Sequence, residues 1–264
     1  MTSGTDLKSS VAYSGRSGVV SWQGRFVDDT DQFSRYMLEI VRDRISDIES
    51  SYESDLRGLA TTGMDTRFVA KLLGAVPQVN KWELGEALAE CLLRDDSDMH
   101  VIWPWNTIRD RRTPRASLPG ADLVGFFFNA GDAILLFGEV KTSSDVNSPP
   151  GVMSGSSGLA WQLERSATRL DIHNSLLQWL HARCRVQPLR GHYETAVKRY
   201  VRSGGEDLLI VGVLIRDISP SESDLRIRGE KLSSIFDSPT RVELFAWYLP
   251  VPIADWSVLM QEEG

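Results

Sequence analysis

The chain has 264 residues, of which 36 are acidic and 29 are lysine or arginine, so its formal net charge is −7. This length is enough for one large domain, or two small ones, with a real hydrophobic core. A composition of 42% hydrophobic and 25% charged residues excludes a disordered, collagen-like or coiled-coil chain. The acidic balance also argues against binding nucleic acid over the whole surface, so any such contact must be local or helped by a partner.

The sequence shows neither a membrane span nor a secretory signal. The longest apolar runs, residues 123–128 and 133–137, are strand-sized and far shorter than the roughly 18 residues that a membrane helix needs. The first residues lack a basic region followed by an apolar stretch. Two cysteines, Cys91 and Cys184, are too few for a disulfide scaffold. We therefore expect a soluble cytoplasmic protein with no membrane contact.

Residues 1–79 are predicted to form an N-terminal helical extension. Its predicted elements are a short strand over residues 19–27 and helices over residues 31–52 and 65–74. Apolar residues recur at helical spacing in both helices, and Thr30 or Asp31 is a plausible N-cap for the first. The second helix is expected to end at Gly74, because Pro77 follows it.

From residue 80 to residue 264, strands and helices alternate, which is typical of an α/β fold with a mixed sheet flanked by helices. The predicted helices span residues 80–94, 159–185, 193–201 and 231–236. The predicted strands span residues 100–103, 121–128, 133–141, 208–215 and 242–249. Residues 142–158 are rich in Ser, Gly, Pro and Asn, which indicates a mobile loop, either a lid or a connector.

The most informative segment is the pair of strands on either side of Asn129-Ala130-Gly131-Asp132, a good tight-turn sequence. If the turn is centred on Ala130-Gly131, the numbers of paired residues sum to about 261, so Asp122 faces Glu139. Alternate side chains of a strand share a face, so Lys141 lies on the same face as Glu139. The hairpin thus places two carboxylates opposite each other, with a lysine one step along.

That arrangement is costly unless a ligand offsets it. Like charges directly opposite each other destabilise a strand pair, and a buried charge must be paired or must bind a metal. A hard divalent cation between the two carboxylates resolves the repulsion. The lysine then lies where it can stabilise an anionic oxygen or orient an attacking water. These are the groups that metal-assisted phosphodiester hydrolysis needs.

Asp122, followed after sixteen residues by Glu139-Val140-Lys141, resembles the core motif of the PD-(D/E)XK nuclease superfamily. The order of predicted elements over residues 80–215 is also similar to that of the superfamily. The resemblance implies a restriction-endonuclease-like fold. The sequence departs from the motif at Gly120-Ala121, where the proline that names the family is absent.

The resemblance also implies roles for individual residues. Asp122 and Glu139 would be ligands of Mg²⁺ or Mn²⁺, and Glu86, on the upstream predicted helix, would complete the metal site. Lys141 would position the nucleophilic water or steady the transition-state charge. Gln162, at the start of the helix after the hairpin, would steady the site or align the substrate.

A narrower resemblance is to the nuclease subunits of Hachiman-type antiphage defence systems. It rests on the Gly-Glu pair at residues 85–86, the Gly-Glu-x-Lys strand at residues 138–141 and the helical N-terminal extension. Those nucleases work with a superfamily-two helicase. The resemblance implies DNA as the substrate, a role in bacterial antiviral defence and a helicase or ATPase partner that supplies the DNA affinity an acidic chain lacks.

Several alternatives stay open at this level. Glu83 or Glu90, on the same predicted helix as Glu86, could be the true contributor, and Gln162 could be an ordinary helix residue. Four arginines precede the hairpin and form either a phosphate clamp or a plain soluble loop: Arg109, Arg111, Arg112 and Arg115.

Two rival functions also remain. The chain could be a catalytically silent nuclease-fold subunit that acts as a protein or nucleic-acid interaction module. It could instead be an unrelated α/β binding protein with a chance hairpin, in which case Asp122 and Glu139 should not share a face. The sequence leaves the choice between DNA and RNA, the sequence specificity and the oligomeric state open.

Overall fold

The computed structural model of the chain describes residues 7–46, 52–74, 80–106, 110 and 120–260. These residues form a seven-stranded mixed sheet with helices on both faces, which confirms the predicted α/β fold class. Within these ranges, no helix is both long and apolar enough to cross a membrane.

The sheet has the spatial order β1-β2-β7-β6-β5-β4-β3. The strands are β1 (Ser10–Ser17), β2 (Val20–Phe26), β3 (Val101–Ile102), β4 (Leu123–Asn129), β5 (Asp132–Ser143), β6 (Leu208–Arg216) and β7 (Arg241–Tyr248). Strands β2, β7, β6 and β5 run parallel, whereas β1, β4 and β3 run antiparallel to their inner neighbours. The central strands are covered on both faces, which explains their continuous apolar sequences.

The N-terminal region contributes strands as well as helices. Strands β1 and β2 form a hairpin, and β2, predicted from residues 19–27, pairs in parallel with β7. Val20 and Trp22 of β2 are buried in the core, and this burial attaches the hairpin to the sheet. The predicted helical extension therefore begins with a strand pair that is part of the same sheet as the hairpin of β4 and β5.

Helices follow in the order α1 (Thr30–Tyr36), α2 (Arg42–Ser46), α3 (Tyr52–Leu59) and α4 (Gly63–Leu73). A π-helical stretch, Met37–Val41, joins α1 to α2, so the helix predicted from residue 31 is continuous up to Ser46. Its N-cap is Asp29 rather than Thr30 or Asp31, because the Asp29 carboxylate accepts a 2.8 Å hydrogen bond from the main-chain N–H of Gln32.

Two hydrophobic layers enclose the sheet. One layer contains α1, α2, α5 (Lys81–Asp95) and α10 (Trp256–Leu259). The other contains α6 (Leu159–Thr168), α7 (Leu170–Arg183), α8 (Leu189–Arg202) and α9 (Arg226–Ser233). Along β5, odd-numbered residues such as Phe137 face the α6–α9 layer, and even-numbered residues such as Val140 face the α5 layer.

The helix predicted over residues 159–185 is divided in two at Arg169, whose backbone is extended. In a continuous helix the carbonyl of Ser166 would accept from the N–H four residues later. Here it accepts a 2.8 Å hydrogen bond from Nε2 of His173, a buried side chain. Because a carbonyl oxygen can only accept, Nε2 carries the proton, and Nδ1, which lies 2.7 Å from the Tyr200 hydroxyl, accepts a hydrogen bond from it.

The segment between β5 and α6, expected to be a mobile loop, is anchored in the structure. Arg216, at the end of β6, is fully buried, and its Nη2 donates to the main-chain carbonyls of Asp145 and, at 3.1 Å, Asn147. Nη1 of Arg216 lies 2.8 Å from the buried carboxylate of Asp224. A guanidinium with no access to water needs such partners, so this segment is held against the sheet.

The buried imidazole of His173 makes the fold sensitive to acid. Burial lowers its pKa below the ordinary value of 6.5, so below that pH the unfolded chain binds a proton that the folded chain does not. We therefore expect the difference in the free energy of unfolding between wild type and His173→Gln to shrink as the pH falls from 8 to 5. The variant is less stable at pH 8 because it loses two hydrogen bonds.

Urea unfolding at pH 8, 6.5 and 5 measures this difference. The matched control is His181→Gln, which removes an exposed histidine of the same helix, α7. The interpretation is wrong if wild type and His173→Gln lose stability in parallel as the pH falls.

Candidate active site

The β4–β5 hairpin has the predicted register. Leu123 pairs with Gly138 and Asn129 with Asp132, so the numbers of paired residues sum to 261. Just beyond the pair of Leu123 and Gly138, the main-chain N–H of Asp122 donates to the carbonyl of Gly138 at 2.9 Å. Oδ2 of Asp122 in turn accepts a 2.9 Å hydrogen bond from the N–H of Val140. This bond clamps the Asp122 carboxylate against the strand that carries Glu139.

The structure brings Asp122, Glu139 and Lys141 together. Nζ of Lys141 lies 3.6 Å from Oε2 of Glu139 and 4.0 Å from Oδ2 of Asp122. The side chain of Glu139 is 5% exposed, whereas those of Asp122 and Lys141 are 28% and 21% exposed. The trio thus lies at a border between core and solvent. The chance-hairpin interpretation, which required the two carboxylates to lie on different faces, is contradicted.

The environment of Glu139 disfavours a negative charge. Burial and the neighbouring carboxylate of Asp122 raise the pKa of Glu139 to about 9, because the amine of Lys141 only partly offsets them. Oε2 of Glu139 is also buried without a hydrogen-bond partner among the described residues. The Lys141 amine lies 3.6 Å from this buried oxygen, which still has room for a hydrogen-bond donor or a cation.

The donor set fits a hard divalent cation. Carboxylate oxygens are the ligands that Mg²⁺ prefers, and it is commonly held by one or two of them together with water and substrate phosphates. Mn²⁺ accepts the same oxygen ligands. In the part of the chain that the structure describes, no group of three or more His, Cys, Asp or Glu residues is arranged to hold a metal ion. If a cation binds here, Asp122 and Glu139 would be its two carboxylate ligands, and solvent or substrate would supply the remaining coordination.

Glu86 lies on α5, which packs tightly against β5. A Cβ atom built at Gly85 would lie 2.7 Å from Cγ2 of Thr142, the residue after Lys141. The absence of a side chain at Gly85 therefore allows a close approach of the helix to its neighbour. Thr142 points to the opposite face of β5 from Glu139 and Lys141. Glu86 is half-buried beside this contact, and the structure does not bring it into a three-carboxylate group with Asp122 and Glu139.

The two alternatives to Glu86 have structural roles. Glu83 forms a capping box at the start of α5, where its Oε2 accepts a 2.6 Å hydrogen bond from the N–H of Asn80. Glu90 is buried, and its Oε2 lies 2.6 Å from Nε of Arg44 on α2. These contacts cap the N-terminus of α5 and hold the helix against α2.

Gln162 lies on α6, which packs over the strand next to Glu139. Gly212 of β6 pairs with Glu139, and a Cβ atom there would lie 2.8 Å from a methyl carbon of Leu163. The absence of a side chain at Gly212 lets α6 approach the sheet at this level. Gln162 is half-buried, and its Oε1 is buried without a hydrogen-bond partner among the described residues. An unpaired amide oxygen is free to accept a bond from a water or a substrate group.

The four arginines proposed as a phosphate clamp all lie outside the described residues: Arg109, Arg111, Arg112 and Arg115. Their assignment stays a prediction from the sequence.

The sequence analysis missed Arg216, which fixes the segment leading from Lys141 to α6. Its signal was present, because it is a charged residue that directly continues the apolar run Leu208–Ile215. An arginine at the end of a buried strand needs a buried acceptor, and the carbonyls of the following segment supply it.

A scan against protein-family models gives no match for this chain, and a search of curated proteins finds no significant relative.

Removing the charge of Glu139 should stabilise the metal-free protein. Glu139→Gln keeps the shape of the side chain but removes a buried carboxylate that faces Asp122. In the wild type, Oε2 of this carboxylate has no hydrogen-bond partner among the described residues. We expect the free energy of unfolding in EDTA at pH 8 to rise by about 1 to 3 kcal/mol, because folding of the wild type must raise the pKa of this carboxyl group and folding of the variant need not. Urea unfolding measures the change. A loss of stability of similar size would show that Glu139 is a structural ion-pair partner.

The close approach of α5 to β5 predicts a specific coupling between two residues. Gly85→Ala should destabilise the fold by about 1 to 3 kcal/mol through overpacking against Thr142. Thr142→Ser removes the obstructing methyl group, so the double variant should recover at least about 1 kcal/mol.

Gly58→Ala is the matched control. Its added methyl group would meet nothing within 4 Å on α3, so it should be neutral or stabilising. Additive effects of Gly85→Ala and Thr142→Ser in denaturant unfolding would contradict the contact.

Proposed function

We propose that the protein is a metal-dependent nuclease that hydrolyses phosphodiester bonds of DNA, with the β4–β5 hairpin as its active site. The observation that carries this proposal is the trio of Asp122, Glu139 and Lys141, in which two adjacent carboxylates have an amine within 4.0 Å of both. The buried Oε2 of Glu139, which has no hydrogen-bond partner among the described residues, supports a cation at this place.

Asp122 and Glu139 would hold the ion, Mg²⁺ or Mn²⁺. When bound, the cation supplies positive charge that favours a hydroxide-like water and offsets the charge of the phosphate oxygens. Lys141 would donate a hydrogen bond to the attacking water or to an anionic phosphate oxygen, since its amine can turn from the carboxylates to the substrate. The unpaired Oε1 of Gln162 would accept a hydrogen bond that steadies a water or a sugar hydroxyl. Glu86 lies on the opposite face of β5 and has no part in this mechanism.

The observed fold supports membership of the PD-(D/E)XK nuclease superfamily. The helix that carries Glu86, the hairpin that carries the trio, the helix that carries Gln162 and the parallel strand β6 follow one another along the chain. The fit of the motif residues to a hard-metal site is the second support. A chance Glu-x-Lys pair on a strand would require neither the burial of Glu139 nor the facing aspartate.

The biological setting that we propose is the bacterial cytoplasm, where the protein would act as the effector nuclease of a Hachiman-type antiphage system. A helicase or ATPase partner would control cleavage and supply DNA affinity. The net charge of −7 supports such a partner, because a chain with this balance attracts a polyanion poorly.

The direct test is cleavage of supercoiled plasmid and linear duplex DNA, with single-stranded DNA and RNA as further substrates. Wild type should cut with Mg²⁺ or Mn²⁺ and not in EDTA, alone or with a co-encoded helicase. Glu139→Gln and Lys141→Met should each lower the rate by roughly 100-fold or more, because each removes a group that stabilises developing charge.

Two variants serve as matched controls. Asp132→Asn removes an exposed carboxylate at the turn end of the same hairpin, and Lys198→Met removes an exposed lysine of α8. Both should cut at the wild-type rate. Equal cutting by wild type, Glu139→Gln and Lys141→Met would mean that the activity arises elsewhere.

The second candidate function is a catalytically silent subunit of the same fold. It is favoured by the distance of 3.6 Å between Nζ of Lys141 and Oε2 of Glu139, because the amine can neutralise the site without a metal. This candidate predicts no cleavage of any substrate and no metal uptake, with the partner or nucleic acid still bound.

A further inference from the structure

A polar cavity lies between β1, β2, β7 and the segment after α5, where it touches Phe127 near the turn end of the β4–β5 hairpin but none of Asp122, Glu139 and Lys141. Its volume is about 460 Å³, within the usual range of small-molecule sites. Arg241, at the start of β7, lines it and pairs with Leu209 of β6, whereas Lys141 pairs with Leu214. Five residues of strand separate the two levels, a distance of about 17 Å. The cavity also opens on the α5 face of the sheet, the face opposite to Glu139 and Lys141.

Three arginines line the cavity, and they are used differently. Nη2 of Arg25 lies 3.2 Å from Oδ2 of Asp96, and its guanidinium lies over the ring of Trp247, so this arginine is already engaged. Arg16 donates from Nε to the carbonyl of Gly18, and Arg241 lies 5.2 Å above the ring of Phe127. Within the described ranges, neither Arg16 nor Arg241 has a carboxylate at ion-pair distance. Two guanidinium groups therefore remain available for an anion.

One acidic side chain, Glu243, interacts electrostatically with both of these arginines. Glu243 lines the cavity and accepts a hydrogen bond from the hydroxyl of Ser21. Burial raises the pKa of Glu243, and Ser21, Arg241 and Arg16 offset that effect only partly. Among the described residues Glu243 forms no ion pair with either arginine, so both guanidinium groups can still donate to a bound anion. Planar guanidinium groups bind phosphate through paired hydrogen bonds, which makes phosphate the best-suited anion.

The rest of the lining suits a nucleoside. Phe127 and Phe245 provide aromatic surface, and Met99 adds a flexible apolar side chain. Asp98 also lines the cavity, and its carboxylate oxygens can accept hydrogen bonds from sugar hydroxyls or amino groups of a base. The cavity therefore combines anion-binding groups, aromatic surface and hydrogen-bond acceptors. These match the phosphate, the base and the sugar of a mononucleotide.

We propose that this cavity binds a free mononucleotide, with its phosphate on Arg16 and Arg241 and its base against the aromatic side of the cavity. This site shares no residue with the trio of Asp122, Glu139 and Lys141 and does not depend on the nuclease activity. The protein would therefore carry a small-molecule site in addition to its catalytic one.

Isothermal titration calorimetry of the full chain tests the proposal with AMP, GMP, CMP and UMP as probes, and with inorganic phosphate and adenosine as partial ligands. At least one mononucleotide should bind, at least tenfold tighter than either inorganic phosphate or adenosine. Arg16→Gln and Arg241→Gln should each weaken that binding by about tenfold or more, as expected for a lost charge-assisted contact to phosphate.

Two further measurements keep the test decisive. Arg16 is exposed, so Arg16→Gln should melt at the wild-type temperature and remain informative if Arg241→Gln misfolds. Arg226→Gln, an exposed arginine of α9, is the matched control and should bind as wild type does. Absence of binding at millimolar nucleotide, equal affinity for inorganic phosphate, or unchanged affinity in Arg16→Gln would overturn the proposal. Because the readout is binding, failure of nuclease activity leaves this result unaffected.

Discussion

The constraint on which the candidate site depends is the placement of a buried glutamate opposite an aspartate. The hairpin register fixes Glu139 beside Asp122, and the N–H of Val140 holds the Asp122 carboxylate in place. Neither acid can turn away without losing strand pairing or burial. The energetic cost of their repulsion and of the desolvation of Glu139 must be offset by a proton, by Lys141 or by a cation. A fold selected for stability alone has no need for this pair.

Close backbone contacts hold the neighbouring helices and the segment after β5 in place around that pair. Gly85 lets α5 reach β5 one residue past Lys141, and Gly212 lets α6 lie over the strand next to Glu139. Arg216 then holds the segment between β5 and α6 against the sheet. These contacts bring two helices to opposite faces of β5 at one level. They place Gln162 above the strand that borders Glu139, and they leave Glu86 on the far side.

Much of this arrangement follows from the sequence. The turn at Ala130-Gly131 and the alternation of side chains were enough to predict that Asp122 faces Glu139, because a hairpin register is a local property. The periodicity of residues 80–94 likewise identified α5. The division of the predicted 159–185 helix could not be foreseen, because it depends on a bond from His173 to Ser166 and on the partner hydroxyl of Tyr200. Such bonds are set by tertiary packing, which periodicity does not report.

The attachment of the N-terminal strands to the sheet was missed for the same reason. Strand β2 was predicted, but its parallel partner β7 lies more than 200 residues away, and no local pattern specifies that pairing. The cavity beside β2 and β7 therefore also escaped the sequence analysis, since Arg16 and Arg241 come from distant parts of the chain.

Metal binding is the most direct test of the central claim. Electron paramagnetic resonance of Mn²⁺ titrated into the full chain counts free and bound ion without requiring a substrate. The account predicts that wild type and Asp132→Asn bind Mn²⁺ alike, whereas Asp122→Asn and Glu139→Gln bind it at least tenfold more weakly. No uptake by wild type, or equal uptake by all four proteins, would contradict the assignment of the hairpin as a metal-dependent active site.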